Sequence, residues 1–85
     1  MEVILLTQEA CAFCDQAKAM LGRLVEDYPI TVRLIGLDTP DGERMALSAG
    51  VLFPPGIIID GEPFSYGRPS ERKLRRALRS RLATT

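Results

Sequence analysis

The sequence of 85 residues contains no histidine. That absence removes imidazole acid–base catalysis and imidazole metal ligands together. Cysteine occurs only twice, so one chain cannot supply the four ligands of a structural zinc site from thiolates and imidazoles. No apolar run approaches the roughly 18 residues of a membrane span, and no membrane partner is expected. The N-terminal Met1-Glu2 leads straight into an apolar run, without the basic region and cleavage site of a secretory signal. There is no repeat, linker or low-complexity segment. The length allows one domain, taken as residues 1–85, and 46% apolar residues is ordinary for a globular chain.

The net charge is zero but unevenly placed. Residues 1–67 carry four basic and ten acidic side chains. Residues 68–85 carry seven basic ones and a single acid, Glu71. The acidic remainder, and the lack of aromatics interleaved with the basic set, argue against a nucleic-acid partner. Arg72, Arg75, Arg76 and Arg79 read as a solvated outer face of the last helix, with docking to an acidic protein partner as the functional rival.

Hydrophobic periodicity divides the chain into seven elements. Residues 2–6 read as a buried strand. From about 12 to 27 the apolar residues fall on a helical stripe of Cys14, Ala17, Leu21, Leu24 and Tyr28, with Met20 and Val25 beside it. Pro29 closes that helix. Thr31 to Leu37 reads as a second strand, and Asp41 to Ala49 as a short helix stopped by Gly50. Ile57-Ile58-Ile59 is a short central strand, and Asp60-Gly61 signals a hairpin turn. Pro63 to Tyr66 is its partner, confined by Pro63 to a strand start or an edge. Ser70 caps a last helix with Leu74, Ala77, Leu78 and Leu82 on its apolar side. The order β-α-β-α-β-β-α predicts an α/β chain: one four-stranded mixed sheet flanked by helices on both faces.

Cys11-Ala12-Phe13-Cys14 lies where the first strand gives way to the first helix. Thr7 to Cys14 resembles the strand–loop–CxxC segment of the thioredoxin fold, and within it the glutaredoxin-like branch. Pro55-Gly56-Ile57-Ile58-Ile59-Asp60-Gly61 resembles the same family's proline-plus-strand motif. Tyr66-Gly67-Arg68-Pro69-Ser70 resembles the glycine-rich turn before its last helix. The resemblance implies the thioredoxin fold and a cis proline at Pro55, facing the cysteines. In the family, the residue before that proline pairs its backbone with the substrate peptide. Three positions depart from the glutaredoxin pattern. Gln8 replaces a usual lysine, Arg68 a second glycine and Pro54 a branched apolar residue. Each weakens the case for tight glutathione binding. Arg68-Pro69 resembles instead the glutaredoxin-like electron donors served by a thioredoxin reductase.

Thiol–disulfide exchange needs an exposed thiolate and a second thiol to resolve the mixed disulfide. At the helix N-terminus, Cys11 can accept a backbone N–H bond and gains from the helix dipole, which lowers a thiol below its free value of about 8.5. Glu9 and Asp15 oppose that slightly, and Lys18 reads as a solvated helix residue. Cys14 belongs to the buried stripe. Cys11 is therefore the expected attacker and Cys14 the resolver. Ala12 and Phe13 set the motif's potential and join Pro54, Pro55, Gly67, Arg68 and Ser70 as candidate substrate-binding residues. Pro54 has no N–H, so it can accept a substrate bond but cannot donate one. Ser70 could hold a carboxylate beside free N–H groups, or be an ordinary cap.

The expectation is a monomeric cytoplasmic oxidoreductase acting on disulfide-containing proteins, with no bound cofactor or metal. Its reductant would be a flavin-containing thioredoxin reductase or a low-molecular-weight thiol such as glutathione. Two other readings stay open. One is a dimeric module pooling four thiolates for a metal or an iron–sulfur cluster. The other is a redox-regulated binding protein whose basic helix recruits a partner.

Overall fold

A computed structural model describes residues 1–83 of the chain. The elements are β1 (Glu2–Thr7), α1 (Ala12–Asp27), β2 (Thr31–Gly36), α2 (Pro40–Ala49), β3 (Gly56–Ile59), β4 (Glu62–Tyr66) and α3 (Glu71–Ala83). Their order is the expected one, with ends shifted by a residue or two.

The unbroken aliphatic run Val3–Leu6 makes β1 a strand that is buried on both faces, as a central strand must be. The sheet order is β2-β1-β3-β4. β1 runs parallel to β2, with Leu5 opposite Leu34, and antiparallel to β3, with Leu5 opposite Ile57. Period-two alternation then sorts the side chains into two layers. Val3, Leu5, Ile57 and Ile59 pack with Leu21, Leu24, Leu74 and Leu78 under α1 and α3. Ile4, Leu6 and Ile58 pack with Met45, Ala46 and Val51 under α2. Each fully buried leucine contributes on the order of 1.5–3 kcal/mol of transfer free energy.

α1 ends at Tyr28, whose extended backbone leads into Pro29. One expectation fails here: Val25, placed beside the buried stripe, is exposed. It lies about 100° around the helix from Leu24, on the side where only the narrow edge strand β2 could cover it. Pro40 stands in the first turn of α2, and the Thr39 hydroxyl caps it by accepting from the Gly42 N–H at 3.0 Å. Gly50, at φ 69°, ends it in the left-handed conformation. In the β3–β4 hairpin, Asp60 and Gly61 both have positive φ, as a two-residue turn of this hand requires. Pro63 sits on the edge strand beside a register shift at Ile57/Ile58.

α3 carries the second correction. Arg75 does not belong to a solvated face. Its guanidinium meets Asp27 at 2.8 Å and Glu71 at 2.9 Å, and lies 5.9 Å from the centre of the Tyr28 ring. The Asp27 bond, then the Glu71 bond, raise its pKa further above its already high value. Arg23 also bonds Glu71, and first Arg23, then Arg75, hold that carboxyl below the usual carboxylate range. The seam joins the C-terminal half of α1 to the first turns of α3. Its partners are 48 residues apart, a proximity that helical period alone does not reveal.

Candidate active site

The chain leaves β1 at Thr7 and turns at Ala10, which adopts a positive φ of 52°. Cys11 follows in extended conformation as the N-cap of α1. The Cys14 N–H donates to the Cys11 sulfur at 3.1 Å, so the expected N-cap interaction is present. The two cysteines are joined as a disulfide, with Cα atoms 5.2 Å apart. Cys11 is partly exposed, whereas Cys14 is completely buried on the core side of α1. One sulfur is thus open to a partner and the other is shielded behind it.

The other two sequence motifs arrive at the same end of the sheet. Leu6, near the end of β1, pairs with Gly56 at the start of β3, and Gly56 pairs with Tyr66 at the end of β4. The loops carrying Cys11, Pro55 and Gly67 therefore emerge side by side. The Pro54–Pro55 bond is cis, as the resemblance implied. Pro55 is buried and Pro54 partly so. The Gly67 N–H donates to the carbonyls of Pro55 (2.9 Å) and Phe53 (3.2 Å), which ties the proline loop to the lead-in of α3. Gly56 lets the Val51 side chain pack against the start of β3: a Cβ there would lie 2.8 Å from it.

Ala12 and Phe13 are exposed beside Cys11. Arg68 and Ser70 stand on the far side of Gly67, in a groove between β4 and α3. Ser70 takes the cap role: its hydroxyl accepts from the Lys73 N–H at 3.3 Å. Lys18 is exposed, in a shallow groove with Val25 and Leu34, and Gln8 and Glu9 are exposed ahead of the motif. Among the described residues no charged side chain is buried, and the one buried side-chain oxygen without a partner is the Thr7 hydroxyl. No group of three or more Cys, Asp or Glu among the described residues could hold a metal. The dimeric metal- or cluster-binding alternative finds no support.

Sequence reasoning missed part of the rim. Leu52 (71% exposed) and Phe53 (64%) precede the cis proline, and the Phe53 ring lies 6.1 Å from that of Tyr66. With Phe13 they give this end of the sheet an apolar border. The signal was Val51-Leu52-Phe53, three apolar residues in a row where neither strand nor helix was expected to bury them.

No protein-family model matches the chain. A thioredoxin of Methanocaldococcus jannaschii is 25% identical over 81 residues, which span 95% of each chain. A probable thioredoxin of Archaeoglobus fulgidus is 24% identical over 75 residues, 88% of this chain and 82% of that one. Among solved structures, oxidised mitochondrial thioredoxin 3 of Saccharomyces cerevisiae superposes with a TM-score of 0.73 at 18% identity, over 93% of this chain and 76% of that one. The chain is a thioredoxin-fold protein. A mutant thioredoxin of Halobacterium salinarum shares the fold as well, with a TM-score of 0.68 at 24% identity over 92% of this chain and 73% of the other. The thioredoxin fold places a CxxC at the N-terminus of α1 in this chain, and the relatives found bear the thioredoxin name rather than the glutaredoxin one. Among the described residues, no helix is long and apolar enough to cross a membrane.

Proposed function

We propose that this thioredoxin-fold chain is a thiol–disulfide oxidoreductase that reduces protein disulfides through Cys11 and Cys14. The observation that carries this is the pairing of an accessible N-cap sulfur with a buried second sulfur within disulfide distance. In the reduced protein the Cys11 thiolate attacks one sulfur of a substrate disulfide. The S–S bond breaks, a mixed disulfide forms and one substrate thiolate leaves. Cys14, as thiolate, then attacks the Cys11 sulfur. The mixed disulfide breaks and the second substrate thiolate leaves, to be protonated by water. Two electrons pass to the substrate, and the chain ends in the disulfide form seen here.

The N–H of Cys14 supports the Cys11 sulfur with one hydrogen bond, and the α1 dipole favours negative charge at that end. Pro54 and Pro55 form the opposite wall. The Pro54 carbonyl accepts a backbone N–H from the substrate, but Pro54 offers none in return. Leu52, Phe53 and Phe13 supply an apolar contact area around the reacting sulfur.

Gln8, Pro54 and Arg68, together with the thioredoxin names of the relatives, favour a flavoprotein thioredoxin reductase over glutathione as the electron source. A lone pair of cysteines at CxxC spacing suits a catalytic dithiol in the reducing cytoplasm. One assay tests the reading: insulin-disulfide reduction run twice, with NADPH and a thioredoxin reductase, and with glutathione plus glutathione reductase. Turnover lost in Cys11→Ser is expected, with the first system faster. Activity that survives Cys11→Ser would refute the mechanism, and equal or faster turnover with glutathione would refute the choice of reductant.

A further inference from the structure

The cations of α3 are sorted by face. On the side facing α1, Arg75 is consumed by Asp27 and Glu71. The core side carries Leu74 and Leu78. The third side, facing β4, presents Lys73, Arg76, Ala77 and Ser80, spaced i, i+3, i+4 and i+7 along one helical stripe. This stripe forms one wall of a groove of about 650 Å³, whose other wall is Phe64, Ser65 and Tyr66 of β4 and whose upper end is Arg68. Arg68, Lys73 and Arg76 make no ion pair among the described residues. Ten of the eleven acids lie in residues 1–67, yet none of them neutralises this groove.

We propose that the groove binds an acidic, extended segment of the protein whose disulfide Cys11 attacks. The proposal rests on the oxidoreductase reading, which it extends to partner choice. Three observations favour that occupant. From Lys73 to Ser80 the stripe runs about 10 Å, the length of roughly three extended residues. The space is several times that of a single small anion, and its cations are spread along the helix rather than converging on a point. At its upper end Arg68 follows Gly67, whose N–H is bonded to the two carbonyls flanking Pro54, so the groove begins next to the loop that carries the cis proline. Nucleic acid is disfavoured by the acidic remainder, which repels a long polyanion.

The test uses two synthetic peptides, each carrying one cysteine as a mixed disulfide with 2-mercaptoethanol. Four glutamates follow the cysteine in one, four glutamines in the other. At low salt the glutamate peptide is expected to be reduced with a kcat/KM about tenfold higher, an advantage lost in high salt. Lys73→Glu/Arg76→Glu should remove the advantage and leave the glutamine peptide within about twofold. Lys73→Gln/Arg76→Gln should give an intermediate loss. Equal rates for the two peptides, or equal losses on both, overturn the proposal. Binding is read separately by amide chemical shifts of Cys11→Ser protein titrated with a cysteine-free glutamate peptide. Shifts clustered at Ser65, Lys73 and Arg76 support the groove even if neither peptide is reduced, an outcome that would sink only the oxidoreductase reading. Displacement of that peptide by oligothymidylate at lower concentration would overturn the choice of an acidic protein segment.

Discussion

Gly42 and Gly22 both lie inside helices, and the structure assigns opposite signs to the same substitution at the two sites. By helix propensity alone, Gly→Ala stabilises each by up to about 1 kcal/mol. At Gly22 that expectation stands, because a Cβ would meet nothing within 4 Å. At Gly42, on the first turn of α2, a Cβ would lie 1.9 Å from the carbonyl oxygen of Gly36 and 2.7 Å from its carbon. Ordinary contact begins near 3.4 Å, so α2 must retreat from the end of β2 by more than an ångström. Both atoms belong to backbone and cannot swing aside. That retreat also lifts Met45 and Ala46 off Ile4, Leu6 and Ile58. Overpacking of this kind costs about 2–3 kcal/mol after the propensity gain is subtracted. For a chain this small it corresponds to a Tm lower by about 10–20 °C, against a rise of about 2–8 °C for Gly22→Ala. Thermal unfolding followed by far-UV circular dichroism measures both. A Gly42→Ala protein at least as stable as the parent would refute the close approach of α2 to β2, and with it the packing of the second layer.

Three further outcomes are expected. Ala10→Gly should raise Tm by a few degrees, because glycine removes about 1–2 kcal/mol of left-handed cost and returns part of it as unfolded-chain entropy; an unchanged or lower Tm would argue against the positive φ. Glu71→Gln should lower Tm at about pH 7 and have no effect near pH 2: the folded-state pKa of Glu71 is depressed, so its stabilisation is full above the ordinary carboxylate value of about 4.3 and lost as pH falls through the folded one, and a deficit that persists in acid would show that the seam does not work through charge. Phe53→Ser should reduce kcat/KM on insulin disulfides about three- to tenfold and leave 2-hydroxyethyl disulfide within about twofold; equal loss on both would mean that Phe53 shapes the loop rather than contacts the substrate.

Much of this molecule could be read from local pattern. The strand run at Val3–Leu6, the stripe Cys14–Leu24, the Asp60-Gly61 turn and the Gly50 stop each encode their conformation within a few residues. The positions of Cys11 and Cys14 were legible for the same reason, one at a helix end and the other on the buried helix stripe. What escaped depends on neighbours distant in sequence. Period tells that Arg75 lies off the core stripe, but only the crossing of α1 and α3 brings Asp27 to it. Val25 falls beside the apolar stripe, but only the edge position of β2 leaves it in solvent. Gly42 reads as a weak helix residue until β2 is placed against α2. The apolar rim of Leu52 and Phe53 likewise emerges only when three loops meet at one end of the sheet.

An open sheet keeps two bare margins, and this one guards them unequally. β4 carries Pro63, which has no N–H to offer, and a register irregularity that bends it out of line. Glu62 adds charge at its start. β2 has none of these devices: its pairing with β1 is regular over six positions, and its only charged side chain, Arg33, is turned toward Glu2 of the neighbouring strand. Leu34 stands more than half exposed along it. Strand-to-strand self-association in concentrated solution is therefore directed to the β2 margin, and a lysine at position 34 is the natural gatekeeper for anyone preparing this chain at high concentration.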